Sequence, residues 1–269
     1  MITLKQYYRQ SATYKLFKGS LKQMSSFLDT LGKITLNGIE TAKYIWRGQI
    51  NRKELMEQCV RFGISSLPIT LSIVSMSTII VSSQVANEMV KQGGGSFVGM
   101  ALTVLIVREL GVIMSGFAII SMIGSSLASE IATMRVTEQI DAIEVLKVDP
   151  VRYLFVPRVL SGIIMMPVVL IISSIVGVLA GAVSSNWASG LSYISYFDSA
   201  WLGIYMKDVF VSLAKAVCFG GTIALISCSC GYYASGGAKG VGQATTKAVV
   251  WSFVAIVIWD MFFAIGFFF

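Results

Sequence analysis

Residues 134–150 read "MRVTEQIDAIEVLKVDP", a charged stretch that lies between two long apolar runs. In the whole chain of 269 residues, 55% are hydrophobic and 13% are charged, whereas an average soluble domain has about 25% charged residues. The mean hydropathy is +0.75. Apolar runs of about twenty residues are long enough to cross a bilayer as α-helices. The composition therefore predicts an all-α, polytopic membrane protein in which the quoted stretch connects two spans.

The apolar runs predict a membrane domain over residues 62–269. We predict five transmembrane helices in it, at about residues 62–87, 97–127, 154–183, 207–230 and 248–269. The second and third have about thirty residues each, whereas about twenty suffice to cross a hydrocarbon core, so we expect them to tilt or to extend beyond the membrane. The connection at 184–206 is predicted as a loop whose many aromatic residues suit the membrane interface.

The segment of residues 1–61 precedes the first predicted span. Apolar and basic residues alternate in it at helical spacing: the apolar set is Leu21, Met24, Leu28 and Leu31, and the basic set is Lys18, Lys22 and Lys33. This pattern is typical of an amphipathic helix. It also fits a helix of a soluble domain, but the position before a membrane domain favours an interfacial helix that lies on the membrane.

Basic residues are distributed unequally between the connections. Eleven Lys or Arg lie in residues 1–61, four in 128–158 and two in 231–247, whereas the other connections contain only Lys91 and Lys207. Since loops rich in Lys and Arg stay in the cytoplasm, the N-terminus is predicted to be cytoplasmic and the C-terminus periplasmic. This bias explains the net charge of +7 without a nucleic-acid partner. We expect a bacterial inner membrane or, in a plant-like host, the inner envelope of a plastid.

The quoted stretch predicts a short amphipathic helix over residues 128–146, on the cytoplasmic side between the second and third spans. Val136, Ile140 and Ile143 fall on one arc of such a helix, and the acidic residues fall on another. Asp149 ends it, because a residue before proline avoids helical geometry. Either a solvated loop helix or a helix that contacts a polar partner fits this pattern.

Three blocks of the sequence carry a resemblance to a known family. They are "RELG" (108–111), "SEIATMRVTEQIDAIEVLKVDPVRYLFVPRVLSG" (129–162) and "GYYASGGAKGVGQATTKAVVWS" (231–252). The chain resembles the MlaE/YrbE family of ABC-transporter permeases, the membrane subunits of Mce-type lipid transporters. It departs from the family pattern at Val112, where members commonly have proline, and at 120–122, which reads Ile-Ser-Met where members have Ala-Gly-Arg. Any role of that arginine is therefore not carried over to Met122.

The resemblance implies that the helix over 128–146 is a coupling helix, which sits in a groove of a separate ATPase subunit. The residues expected to contact that partner are Arg135, Glu138, Gln139, Asp141 and Glu144. The resemblance also implies a homodimer, two ATPase subunits that bind ATP and Mg²⁺, and an Mce-domain protein on the outer side. The function it implies is to move phospholipid or a related lipid, in support of outer-membrane lipid homeostasis.

The first and last spans are expected to adjoin the dimer interface and to line a lipid cavity. The candidates for that surface are Leu71, Val74, Met76, Ile79, Val81, Phe253, Ile256 and Phe262. They are chosen for hydrophobicity alone, and any lipid-facing residue would have the same character.

The chain is not expected to be an enzyme. The glycine-rich segment 235–246 lacks the G-x-x-x-x-G-K-[ST] pattern of a phosphate-binding loop, so we predict a cytoplasmic turn there and assign ATP hydrolysis to a partner. With four Cys and no His, the chain offers no usual set of zinc ligands. We expect no cofactor or metal on this chain.

Four ionisable residues lie away from the ends of the predicted spans, where charge is costly: Arg108, Glu109, Lys215 and Asp260. A charge at the bilayer centre costs about 2.5–3.5 kcal/mol, so these side chains are expected to face the bundle interior and to pair. Adjacent residues on a helix point about 100° apart, so Arg108 and Glu109 need separate partners, and we predict Asp260 and Lys215.

Three roles remain open for this cluster: an ion-pair tie between helices, a polar lining or hinge at a lipid pocket, and a proton relay. A gradient-driven secondary carrier would use the same four residues, but such carriers often have internal repeats, and none is visible in the sequence. A membrane enzyme is disfavoured because no nucleophile–base or metal spacing occurs.

Overall fold

The computed structural model describes the backbone of residues 12–268, and the side chains of residue 25 and of residues 28–267. Every regular element in that range is helical. In chain order the helices are α1 (Ala12–Trp46), α2 (Arg52–Gly63), α3 (Leu67–Lys91), α4 (Gly95–Val136), α5 (Gln139–Val145), α6 (Val151–Ser189), α7 (Tyr193–Gly203), α8 (Met206–Tyr232) and α9 (Gly237–Phe268).

The prediction of an all-α protein with five spans is confirmed. Helices α3 (continued from α2), α4, α6, α8 and α9 are long and apolar enough to cross a membrane. The predicted boundaries differ most at α9, which begins at Gly237 instead of near residue 248. The glycine-rich segment predicted as a turn is therefore largely helical. The chain reverses at Gly236 and Gly237, whose φ angles of 92° and 65° are easily adopted only by glycine.

Connectivity places the shorter elements at two ends of the bundle. Helices α1 and α5 and the turn before α9 lie at one end, called here the α1 end, and α7 lies at the other, the α7 end. Helix α4 contacts all the other spans; beside it α3 packs on α6, α6 on α8, and α8 on α9. Helices α3 and α9 therefore lie at the two ends of this row of spans.

The contact between α6 and α8 depends on two glycines. A Cβ on Gly162 would lie 2.5 Å from the carbonyl oxygen of Gly220, and a Cβ on Gly220 would lie 2.1 Å from that of Gly162. Only residues without a side chain allow the two backbones to approach so closely, which is how many membrane helices associate.

A short helix lies between the second and third spans, as predicted, but it does not extend over residues 128–146. Helix α5 covers only Gln139–Val145 and is separated from α4 by a break at Glu138, whose φ of 61° is left-handed. The break allows the next turn to change direction, and Ile140 becomes fully buried among residues of α4 and α6. Burial of such a side chain contributes about 1.5–3 kcal/mol, which offsets the strain of about 1–3 kcal/mol at a residue like Glu138.

The connection predicted as a loop over 184–206 contains helix α7. Tyr196 anchors it, because this side chain is only 1% exposed and a Cβ on Gly99 of α4 would lie 2.0 Å from the Tyr196 carbonyl oxygen. Trp187 and Trp201 are 87% and 80% exposed, as expected of aromatic residues at a membrane interface.

Helix α1 has its polar side against the protein and an apolar side outward. Asn37 and Thr41 are buried against the bundle, whereas Leu36, Ile39 and Trp46 are 67%, 63% and 94% exposed. An outward apolar surface is what a helix in the membrane interface requires. The side chains before residue 25, on which part of that prediction rested, lie outside the described ones.

Candidate functional site

A cluster of ion pairs lies inside the bundle where α4, α8 and α9 meet. The side chain of Lys215 on α8 is completely buried. Its Nζ donates to both carboxylate oxygens of Glu109 at 3.1 and 3.2 Å, and to Oδ1 of Asp260 at 2.8 Å. The structure therefore brings together three of the four charges predicted inside the spans, and Glu109 has the partner that the sequence predicted.

The fourth charge, Arg108, has a different partner from the one predicted. Asp260 contacts Lys215, and the ion pair of Arg108 is with Asp208, at 2.9 Å. Sequence reasoning missed Asp208 because the predicted start of the span placed it at the membrane edge. A usable signal existed: Asp208 precedes Lys215 by seven residues, and two helical turns place both side chains on one face of α8.

The backbone of α4 is irregular where it carries these charges. Residues Ile106–Leu110 form a π-helical turn, a feature that often occurs at functional sites. Two more such turns are described, at Ile120–Gly124 in α4 and Val151–Phe155 in α6. The hydroxyl of Ser212 donates to the carbonyl oxygen of Val107 at 2.7 Å, and Nζ of Lys215 donates to that of Arg108 at 3.0 Å. Side chains of α8 therefore bind the backbone of α4 at the wide turn and fix its position.

Five charged groups, two cations and three carboxylates, make up this cluster. Away from water, such pairs interact strongly and the loss of one partner is costly. The side chains of Arg108 and Glu109 are each 31% exposed, so the cluster also reaches the surface of the chain. It can hold three spans in one arrangement and can offer polar contacts within an otherwise apolar surface.

The eight candidates for the lipid cavity divide into two groups. Val74 and Ile256 are fully buried within the chain, where Val74 lies against Gly177 and Ile256 against Gly116, so the expectation that these two line an open surface is corrected. They were chosen for hydrophobicity, which does not distinguish the packed face of a span from its outer face. The other six are partly or well exposed: Leu71, Met76, Ile79, Val81, Phe253 and Phe262.

The surface of α5 is less uniformly charged than predicted. Arg135 pairs with Asp141 at 2.6 Å, and the hydroxyl of Tyr232 donates to Glu144 at 3.3 Å, so three of the predicted contact residues already have partners within the chain. The other two, Glu138 and Gln139, are exposed. Beyond them the end of α5 exposes apolar side chains, with Val145 81% and Leu146 75% exposed.

A second ion-pair group was not predicted. Glu130 of α4 accepts hydrogen bonds from Arg61 of α2 and Arg158 of α6, and Arg61 also donates to Ser126. The side chain of Arg158 is 4% exposed, and that of Arg61 is 34% exposed. The group ties three helices together at the α1 end. Sequence reasoning assigned these charges to connections, where they would be solvated.

Helix α1 is also tied to the segment after α5. The hydroxyl of Tyr44 donates to Asp149 at 2.5 Å, and this bond to the carboxylate raises the pKa of Tyr44. The other oxygen of Asp149 accepts from the N–H groups of Val151 and Arg152 at 2.8 and 3.3 Å, which caps the start of α6. Asp149 therefore joins α1 to the start of α6.

Comparisons with known proteins agree with this architecture. The family model "Permease MlaE" matches residues 55–265. A probable ABC transporter permease protein of Synechocystis sp. is 38% identical over 219 residues, which are 81% of this chain and 83% of the relative. A probable ABC transporter permease protein of Rickettsia felis is 35% identical over 237 residues, 88% of this chain and 92% of the relative. The chloroplastic protein TRIGALACTOSYLDIACYLGLYCEROL 1 of Arabidopsis thaliana is 33% identical over 244 residues, 84% of this chain and 70% of the relative.

Proposed function

The chain belongs to the MlaE permease family, and from this premise we propose that it moves phospholipid or a related lipid between the inner membrane and an Mce-domain partner. Family membership makes it a multi-pass membrane subunit of an ABC transporter and not its ATPase, so an ATPase partner is implied. That partner would bind ATP and Mg²⁺. The Arabidopsis relative is named for trigalactosyldiacylglycerol, which is a lipid.

The observation that carries the lipid proposal is the partly exposed ion-pair cluster within apolar spans. A lipid has a charged or polar head group and apolar chains, and its passage through a membrane protein needs both kinds of surface. Arg108 and Glu109 offer polar contacts, while Met76 and Phe262 on other spans are 65% and 62% exposed and apolar.

A homodimer would complete the cavity. Helices α3 and α9 lie at the two ends of the row of spans, so a cavity lined by both requires a second copy of the chain. The basic α1 end would face the cytoplasm. The α7 end would then face the periplasm and meet the Mce-domain partner.

ATP hydrolysis would act on the spans through α5. The exposed Gln139 of α5 and the exposed flanking residues Glu138 and Leu146 would enter a groove of the ATPase, with Arg135, Asp141 and Glu144 beside them. Ile140 on the opposite side is packed among residues of α4 and α6, so displacement of α5 would move the second and third spans together.

Co-purification tests this coupling. The tagged chain is isolated in mild detergent beside a double variant, Glu138→Lys with Leu146→Asp, and a control, Asp198→Lys, at the α7 end. We expect an ATPase with the native chain and the control, and loss of the ATPase from the folded double variant. Equal recovery of the ATPase with all three would show that α5 is not the contact.

A further inference from the structure

A groove of about 380 Å³ lies near the α7 end between α4, α6, α7 and α8. Ile175 and Leu179 form its α6 wall, Val209 and Leu213 its α8 wall, and Trp201 belongs to the part of α7 that lines it. Its α6 wall belongs to the outward face of a membrane span, since Ile175 and Leu179 are 56% and 51% exposed. The groove therefore opens toward the hydrocarbon of the bilayer.

The lining of the groove suits a hydrocarbon chain, and its polar side chains are three hydroxyl residues, Thr103, Ser174 and Ser212. Most of the lining side chains are apolar. The hydroxyl of Ser212 shares its one proton between the carbonyl oxygens of Val107 and Asp208, each 2.7 Å from Oγ. A head group would have to compete for these bonds, whereas an acyl chain needs only apolar contact.

The shape of the groove selects among apolar occupants. Helix α7 contributes Phe197, Trp201 and the adjoining Ile204 to the lining, so the groove is bounded where the spans end. A transmembrane helix of a partner is about 10–12 Å across with its side chains and would need an open channel along the full length of the spans. A single acyl chain ends within the bilayer and needs no such channel.

We propose that this groove holds one acyl chain of a resident phospholipid that is not the transported molecule. None of its lining residues comes from α3 or α9, which carry the surface assigned to the transported lipid. The groove lies directly behind the π-helical turn, because Val107 and Ser212 belong to its lining. The bound chain therefore supports the backbone that carries Arg108 and Glu109.

Native mass spectrometry tests the proposal on the purified chain after washing in lipid-free detergent. A variant, Val209→Trp, fills the groove, and Val217→Trp makes the same change on an exposed face of α8 outside it. We expect the native chain and Val217→Trp to retain one phospholipid each. Val209→Trp should retain about tenfold less phospholipid than the native chain. Equal retention by all three overturns the proposal.

A second measurement needs no variant and covers the case in which Val209→Trp fails to fold. The chain is reconstituted in vesicles containing phosphatidylcholine with a diazirine at the end of one acyl chain, washed in lipid-free detergent and illuminated. We expect the label in residues 170–179 and 197–213. Label confined to α3 and α9 would overturn the resident site but leave the proposed transport intact. Equal label on all spans would also overturn the resident site. A photoreactive residue at Ile175 that captures another polypeptide would show that a protein occupies the groove.

Discussion

Nζ of Lys215 lies 2.8 Å from Oδ1 of Asp260 and 3.1 Å from Oε1 of Glu109, so one buried ammonium group joins three membrane helices. Charges so far from water are stable only while they remain paired. Glu109 belongs to the π-helical turn Ile106–Leu110 of α4. Through this partly exposed side chain the group of charges reaches the surface of the chain. The position of the helices and the polarity of the surface therefore depend on one side chain.

Replacing Lys215 tests that dependence. Lys215→Met would leave Asp260 and the partly exposed Glu109 without their cation, and we expect a loss of about 3 kcal/mol in stability, the lower end of the range for a fully buried pair. Thermal unfolding in detergent measures the loss, with Lys239→Met on the exposed start of α9 as the control. Adding Glu109→Gln and Asp260→Asn to Lys215→Met should restore most of the stability. Equal melting of Lys215→Met and the control would contradict the role given to this residue.

A charge exchange tests the partner of Arg108. Arg108→Asp and Asp208→Arg should each reduce the yield of folded protein, because each places like charges together in the bundle. Their combination recreates an opposite pair and should recover part of the yield. A second double variant, Arg108→Asp with Asp260→Arg, serves as the comparison. If it recovered the yield of folded protein and Arg108→Asp with Asp208→Arg did not, Asp260 would be the partner of Arg108.

Because the backbones of α6 and α8 approach closely, we predict that one methyl group added at their contact destabilises the folded chain. Gly220→Ala places a Cβ 2.1 Å from the carbonyl oxygen of Gly162, which the helices can relieve only by separating. We expect a destabilisation of about 1–3 kcal/mol, the usual cost of overpacking. Gly242→Ala in α9 has no atom within 4 Å of the added group and should be neutral or stabilising by up to about 1 kcal/mol. Similar melting temperatures for the two variants would argue against the close approach.

The group around Glu130 predicts unequal effects of its two arginines. Removal of either leaves Glu130 with one partner, but Arg158 is nearly buried and Arg61 is about one third exposed. Arg158→Ala should therefore destabilise the chain more than Arg61→Ala, where water can replace part of the lost contact. Thermal unfolding of the two variants measures this difference. A lower melting temperature for Arg61→Ala than for Arg158→Ala would contradict the prediction.

The sequence was sufficient to predict the spans, because twenty apolar residues in a row have few alternatives to a membrane helix. It was also sufficient to predict the pairing of Glu109 with Lys215, since the cost of a lone charge in a membrane demands a partner. The partner of Arg108 was not predicted, because Asp208 lies at the very start of α8 (Met206–Tyr232), where a carboxylate was expected to be solvated.

Other features depend on tertiary packing, which cannot be predicted from the periodicity of apolar residues along the sequence. Glu138 takes a left-handed conformation because Ile140 gains burial from the break, an effect of neighbours distant in the sequence. Val74 and Ile256 have the hydrophobicity of lipid-facing residues but lie inside the chain. Helix α7 was not predicted because its aromatic residues indicate a position at the membrane interface. They do not distinguish a helix from a loop.

The most direct test of the whole account is transport by the chain with its co-purified ATPase in vesicles. A fluorescent phospholipid is placed in the vesicles, an Mce-domain partner serves as the soluble acceptor, and exchange in either direction is followed with and without ATP. The account predicts ATP-dependent movement of the lipid that is lost in Glu138→Lys with Leu146→Asp. An active ATPase complex that moves no lipid when ATP is added would contradict it.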